Sequence, residues 1–211
     1  MGIQRLKEEI RYFFKKNCVF FFIILVVFLM GVFFGALSLK TLNAMQKKEL
    51  VLYLESFFQG FKQKAVSGLP LVRLSLFNNL KTIGLIWLFG LTVIGVPLIL
   101  LLIFTRGFIF GFTVGFLVEE YTFKGFIFSL LAIVPHNLVI FPVLFLVSIM
   151  SIDLAGILLR QRSGQRPARL GNVFAGNVAG LAAAGIVLIG ASFLEAYVSP
   201  FFISLLSGIM R

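Results

Sequence analysis

The sequence predicts an all-α, polytopic integral membrane protein, a helical bundle of about five spans with broken or short helices and one external amphipathic helix. Three observations predict it. The 211 residues are 60% hydrophobic and only 13% charged, more apolar surface than one soluble core of this size can hide. Apolar runs of membrane-crossing length recur from Cys18 onward, separated by short basic stretches. Glycines and prolines interrupt those runs, freeing backbone groups that lipid cannot satisfy, so neighbouring helices must surround them.

The net charge of +11 comes mostly from residues flanking apolar runs, which points to anionic lipid head groups as partners and not to nucleic acid. The single cysteine, Cys18, excludes an intramolecular disulfide and a cysteine-rich metal site. Residues 1–17 form a basic cytoplasmic segment in which Leu6, Ile10, Phe13 and Phe14 recur at helical spacing. Residues 18–39 are the first span. Ala36 and Ser38 resemble a cleavage site, but the apolar run exceeds the core of a signal peptide, so it reads as a retained anchor.

Residues 40–81 are the one long polar segment. Within it Leu50, Val51, Leu54, Phe57, Phe58 and Phe61 follow the spacing of an amphipathic helix, with Lys48, Glu55, Gln59 and Lys62 on the other side. Gly60 and Gly68-Leu69-Pro70 loosen or end it. Leu54, Phe57, Phe58 and Phe61 are candidate partner-binding residues. The same face could equally lie on the bilayer surface.

Residues 82–211 make the core bundle and a short apolar tail. Thr82–Phe104 reads as the second span, interrupted by Gly95-Val96-Pro97. Gly107–Val118 is a third and short one, with Arg106 as the hydrophilic break between them. Gly125–Leu159 is too long for one upright helix and is expected to break or bend between Pro135 and Pro142. Arg160–Arg169 is a basic loop. Gly171–Tyr197 is the last full span, ended by Ser199-Pro200.

Gly107, Gly111 and Gly115 lie four residues apart on one helix face, a groove in which another helix can come close. Ala175, Ala179 and Ala183 form a similar row, and the two rows are expected to pack together. Counting basic residues hardly decides orientation, ten on one side against nine on the other. The density of arginines between Arg160 and Arg169 places the N-terminus in the cytoplasm.

No HExxH, Walker phosphate loop or GxSxG elbow is present, and one histidine with one cysteine leaves no multi-histidine metal site. No catalytic, cofactor-binding or metal-binding residue is therefore assigned, and the chain is expected not to be an enzyme. An intramembrane protease would lack a plausible dyad. His136, Asn137 and Glu195 are the notable intramembrane polar residues. His136 and Asn137 lie roughly 16 Å into their run. They satisfy backbone groups freed by the prolines, form an ion or substrate site at a broken helix, or contact a partner.

Several segments in register resemble a known family: Gln46-Lys-Lys-Glu-Leu50, Asn79-Leu-Lys-Thr-Ile-Gly84-Leu-Ile-Trp87, Gly111-Phe-Thr-Val-Gly115-Phe-Leu-Val118, Pro135-His-Asn-Leu138 and Glu195-Ala-Tyr-Val-Ser-Pro200. Together they resemble stage II sporulation protein M of endospore-forming bacteria, along nearly the whole chain. His136 stands where the family pattern has glutamine. The resemblance implies a non-catalytic member of the engulfment machinery in the septal membrane of the mother cell, recruiting or stabilising the peptidoglycan-degrading stage II sporulation proteins D and P. From another class, the alternative is a transporter or channel subunit using the polar site near Pro135–Asn137.

Overall fold

The computed structural model describes residues 16–63, 68–92, 94–162 and 170–206, and side chains within them up to Ser56, with gaps, in the polar segment. Every described element is helical. The order is α1 (Cys18–Ser38) with a 3-10 turn at Leu39–Thr41, α2 (Ala44–Gln63), α3 (Leu69–Gly90), α4 (Gly95–Phe128), a π-helical turn at Ser129–Ile133, α5 (Val134–Arg162) and α6 (Leu170–Leu206). Among the described residues, three stretches are long and apolar enough to cross a membrane: Cys18–Thr41, Gly95–Gln161 and Val173–Tyr197. The helix α3 falls outside that group because Arg73, Asn78, Asn79 and Lys81 make it more polar.

Local chemistry sets the helix ends. The backbone N–H of Asn43, just ahead of α2, donates to Oε1 of Gln46 at 2.9 Å, which satisfies a donor that the helix itself leaves orphaned. Gly68 takes φ of 99° before α3, a conformation that glycine adopts without a Cβ penalty, and Pro70 follows in the first turn.

Gly95-Val96-Pro97 also starts a helix. It does not interrupt a span, because proline costs nothing in the first turn, where its missing N–H would have no partner. The expected span Thr82–Phe104 is therefore divided, its first part closing α3 and its second opening α4. Arg106 is not a break either. It lies inside α4, which runs through it without interruption.

The two long apolar stretches around residue 125 also differ from expectation. The reversal comes at Thr122, whose φ of 51° and ψ of −123° are non-helical, and at the π-helical turn, ahead of both prolines. Gly125 then lies against the Leu117 carbonyl and Tyr121, so the chain doubles back on itself there. Pro142 is accommodated within α5. Likewise Pro200 does not end the last helix, since α6 continues to Leu206. Transmembrane helices tolerate proline when neighbours and local adjustments satisfy the freed carbonyls.

The closest packing is between α1 and α4, which run side by side in the same direction. A Cβ at Gly107 would run into the Phe28 carbonyl and one at Gly111 into the Val32 carbonyl, while Gly115 meets Ala36 and Leu39. From the other side, Gly31 and Gly35 abut the backbone at Phe104 and Phe108. The glycine ridge of α4 thus packs on α1 and not on the row Ala175, Ala179 and Ala183. Glycine spacing on both partners lets two backbones come within contact, and an alanine row cannot match that closeness.

The helix α5 fills the centre. Phe141 lies 4.6 Å from Phe28 and 5.1 Å from Phe110, ring centre to ring centre, tying α5 to α1 and to α4. Leu144 and Ile149 of α5 are fully buried with Ile24, Ile86, Ile99, Ile103 and Leu188 from the surrounding helices. Ion pairs close the two ends: Lys16 with Asp153 at 3.0 Å, and Lys47 with Glu119 at 2.5 Å. The start of α1 and the late part of α5 therefore share one end, and α2 sits at the other.

Candidate functional site

Two features of the bundle could carry function, a polar cavity inside it and an uncovered surface on α6. The cavity lies among α3, α4, α5 and α6 and has a volume of about 290 Å³. Its charged members are Arg106 from α4 and Glu195 from α6, and His136 and Asn137 from α5 share the lining. The geometry follows from helical rise. Arg106 is about 16 Å into α4, near the middle of a span, where a charge is costly unless it faces the interior of the bundle.

Each polar group has local partners. Arg106 donates to the Thr82 hydroxyl, and Ser75 donates its hydroxyl proton to Glu195. The amide of Asn79 reaches the Ser75 oxygen at 3.4 Å, and Ser192 stands 3.2 Å from Ser75. The amide of Asn137 donates to the Ile133 carbonyl at 2.9 Å and lies 3.0 Å from Nε2 of His136, whose ring also bonds the Ala132 carbonyl. A neutral imidazole, one donor and one acceptor, satisfies both contacts. These bonds support the π-helical turn and the chain around Pro135.

His136→Gln is therefore expected to keep the folded yield, because an amide offers the same donor and acceptor. His136→Leu is expected to cost roughly 1–3 kcal/mol by leaving buried groups unpaired. Thermal unfolding of the purified variants checks this, and a leucine variant as stable as its parent would remove His136 from the support of the turn.

The sequence-derived site residues divide in the structure. His136, Asn137 and Glu195 come together in the cavity. Arg106, Ser75 and Asn79 join them unexpectedly. A lone arginine inside a long apolar helix was the signal for the first, and hydroxyl and amide residues one turn apart on α3 were a weak one for the others. Leu54 packs inward, against the small cluster of Leu117, Phe128 and Ala132. The side chains of Phe57, Phe58 and Phe61 lie outside the described ones. Among the described side chains of α2, the large apolar ones that face outward are Met45, Leu52 and Tyr53, which are strongly exposed.

Ala175, Ala179 and Ala183 are all exposed on α6, and nothing lies within contact distance of a Cβ at Gly171, Gly176 or Gly190. Only 6% of the most apolar part of Val173–Tyr197 is buried, against 61% for that of Gly95–Gln161, so α6 stands at the rim of the bundle, where the small residues face outward together with Val178 and Ile186. Among the described residues, no group of three His, Cys, Asp or Glu side chains lies together.

No curated protein and no solved structure matches the chain. The family model described as Stage II sporulation protein M matches residues 24–200, a stretch that includes the glycine ridge, the cavity and the α6 face.

Proposed function

Because the chain belongs to the stage II sporulation protein M family, we propose that this sporulation-related membrane protein is a non-catalytic scaffold of engulfment. In this role it recruits or stabilises peptidoglycan-degrading partners, the stage II sporulation proteins D and P, at the septal membrane of the mother cell. The observation that carries the proposal is the uncovered small-residue face of α6. Within lipid, apolar area gives no drive for association. Helices associate by close van der Waals contact, which small residues permit. A face of alanines and glycines on a rim helix is therefore a seat for the membrane span of another protein. The outward row Met45, Leu52 and Tyr53 on α2 offers a second contact near the bilayer surface, and the basic flanks bind anionic lipid.

In the proposed orientation the N-terminus is cytoplasmic and α2 is outside. With Cys18 replaced by serine, a cysteine at Met45 is expected to react with an impermeant thiol reagent in intact cells, and one at Arg160 is not. Reversed labelling would invert the topology. The recruitment proposal is tested by a photo-reactive residue at Ala179 in sporulating cells. Cross-links to the wall-degrading partners are expected there and not from Ile99 in the core. Equal cross-linking at the two positions, or none at Ala179, would remove α6 as the seat.

A further inference from the structure

The charges of the polar cavity are arranged for a guest. The guanidinium of Arg106 offers five N–H donors, one of them spent on Thr82. The carboxylate of Glu195 accepts the hydrogen bond of the Ser75 hydroxyl on one of its two oxygens. Arg106 and Glu195 attract each other across the cavity, yet they do not reach ion-pair distance. The ion pairs among the described residues are Lys16–Asp153 and Lys47–Glu119. Two unlike charges, from α4 and α6, thus line one cavity of the bundle without forming an ion pair.

Opposite charges in low dielectric gain most by closing on each other. Here each is instead fixed by a hydroxyl of α3, Thr82 for one and Ser75 for the other, and both hydroxyl-bearing residues are buried. The rest of the lining includes Phe110, Ile140 and Phe141, which gives apolar walls and a few convergent polar groups, the usual make-up of a small-molecule site. The volume is at the small end for such sites, sized for a head group or an amino acid and too small for a peptide. Asn78 and Ile109 at its rim are exposed, so the cavity communicates with the surroundings of the bundle.

We propose that this cavity binds a zwitterion, its anionic group held by Arg106 and its ammonium group by Glu195. Guanidinium donors suit a phosphate or carboxylate, and a carboxylate takes the N–H bonds of an ammonium group. Two sources share that chemistry: a free solute such as O-phosphoethanolamine, and the head group of phosphatidylethanolamine entering from the membrane.

The test uses the full chain purified in detergent and follows its unfolding temperature. The probes are O-phosphoethanolamine, ethanolamine, inorganic phosphate, and mixed micelles containing phosphatidylethanolamine or phosphatidylglycerol. A saturating rise in Tm with O-phosphoethanolamine or with phosphatidylethanolamine, exceeding that with the singly charged counterparts, is expected. Whichever of the two acts identifies the source. Glu195→Gln is expected to weaken the effect by about tenfold or more, and Arg106→Lys to weaken it while keeping the charge. Inorganic phosphate or phosphatidylglycerol acting as strongly as the zwitterions would overturn the proposal in favour of an anion site. No rise with any probe would overturn it in favour of a water-filled structural pair. The comparison among probes on the parent chain decides even if a variant fails to fold.

Discussion

Gly111→Leu is expected to abolish most of the folded, detergent-stable protein. Gly111→Ala is expected to lower its unfolding temperature measurably. The reason is the nature of the neighbour. A Cβ at Gly111 would meet the carbonyl of Val32 in the α1 backbone, a group that cannot rotate away as a flexible side chain would. The two helices would have to separate along most of their shared length, since Gly31, Gly35 and Gly107 meet the partner backbone in the same way close by. Overpacking usually costs about 1–3 kcal/mol. A backbone collision in a helix pair that depends on van der Waals contact belongs at or above the upper end.

Gly156→Leu is the matched control. A Cβ there meets nothing within 4 Å, so the added side chain has open space. Folding yield and thermal unfolding of the three variants separate the explanations. A leucine variant at 111 that melts with the parent would mean that α1 and α4 do not touch through these glycines. A Gly156 variant that collapses as well would mean that the effect comes from losing glycine anywhere in the bundle.

This pair of helices also marks where the sequence could be read and where it could not. Glycines at 107, 111 and 115 announce a close-packed face by spacing alone, and the structure uses that face. Its partner is a matter of tertiary arrangement, which spacing does not encode. The row of alanines in α6 looked complementary, yet Gly31-Val-Phe-Phe-Gly35 in the first span carries the tighter signature and wins the contact. Composition likewise announced the apolar helices. The breaks between them were harder, because Gly-Val-Pro can either end a helix or begin one, and only the chain direction after it decides.

Arg106 shows the same limit from another side. A charge between two apolar runs looks like a loop when the runs are judged separately. Judged as one 34-residue helix, it is an arginine at mid-span, which demands a polar lining around it. That lining comes from Thr82, Ser75, Asn79 and Glu195, on helices well separated from it in sequence. His136 and Asn137 were legible as a polar pair beside Pro135, because their partners lie within four residues on the same chain.

The α6 face is the place where recruitment stands or falls. Replacing Ala175, Ala179 and Ala183 together by leucine adds apolar bulk to residues that already face outward. Lipid accommodates leucine as readily as alanine, and leucine is a good helix former, so the folded yield and unfolding temperature are expected to stay within experimental error of the parent. A partner span seated on the face would lose its closest approach along two helical turns. Co-purification of the peptidoglycan-degrading partners from sporulating cells is therefore expected to fall by about tenfold or more, the effect of losing the centre of an interface. Engulfment is expected to stall with the protein still in the membrane. If the triple variant is folded and still captures its partners, α6 faces only lipid. Loss of capture in Leu52→Ala with Tyr53→Ala would then move the seat to the outward row of α2. If neither surface matters, the recruitment proposal itself fails, and the polar cavity becomes the feature around which the function of the bundle has to be sought.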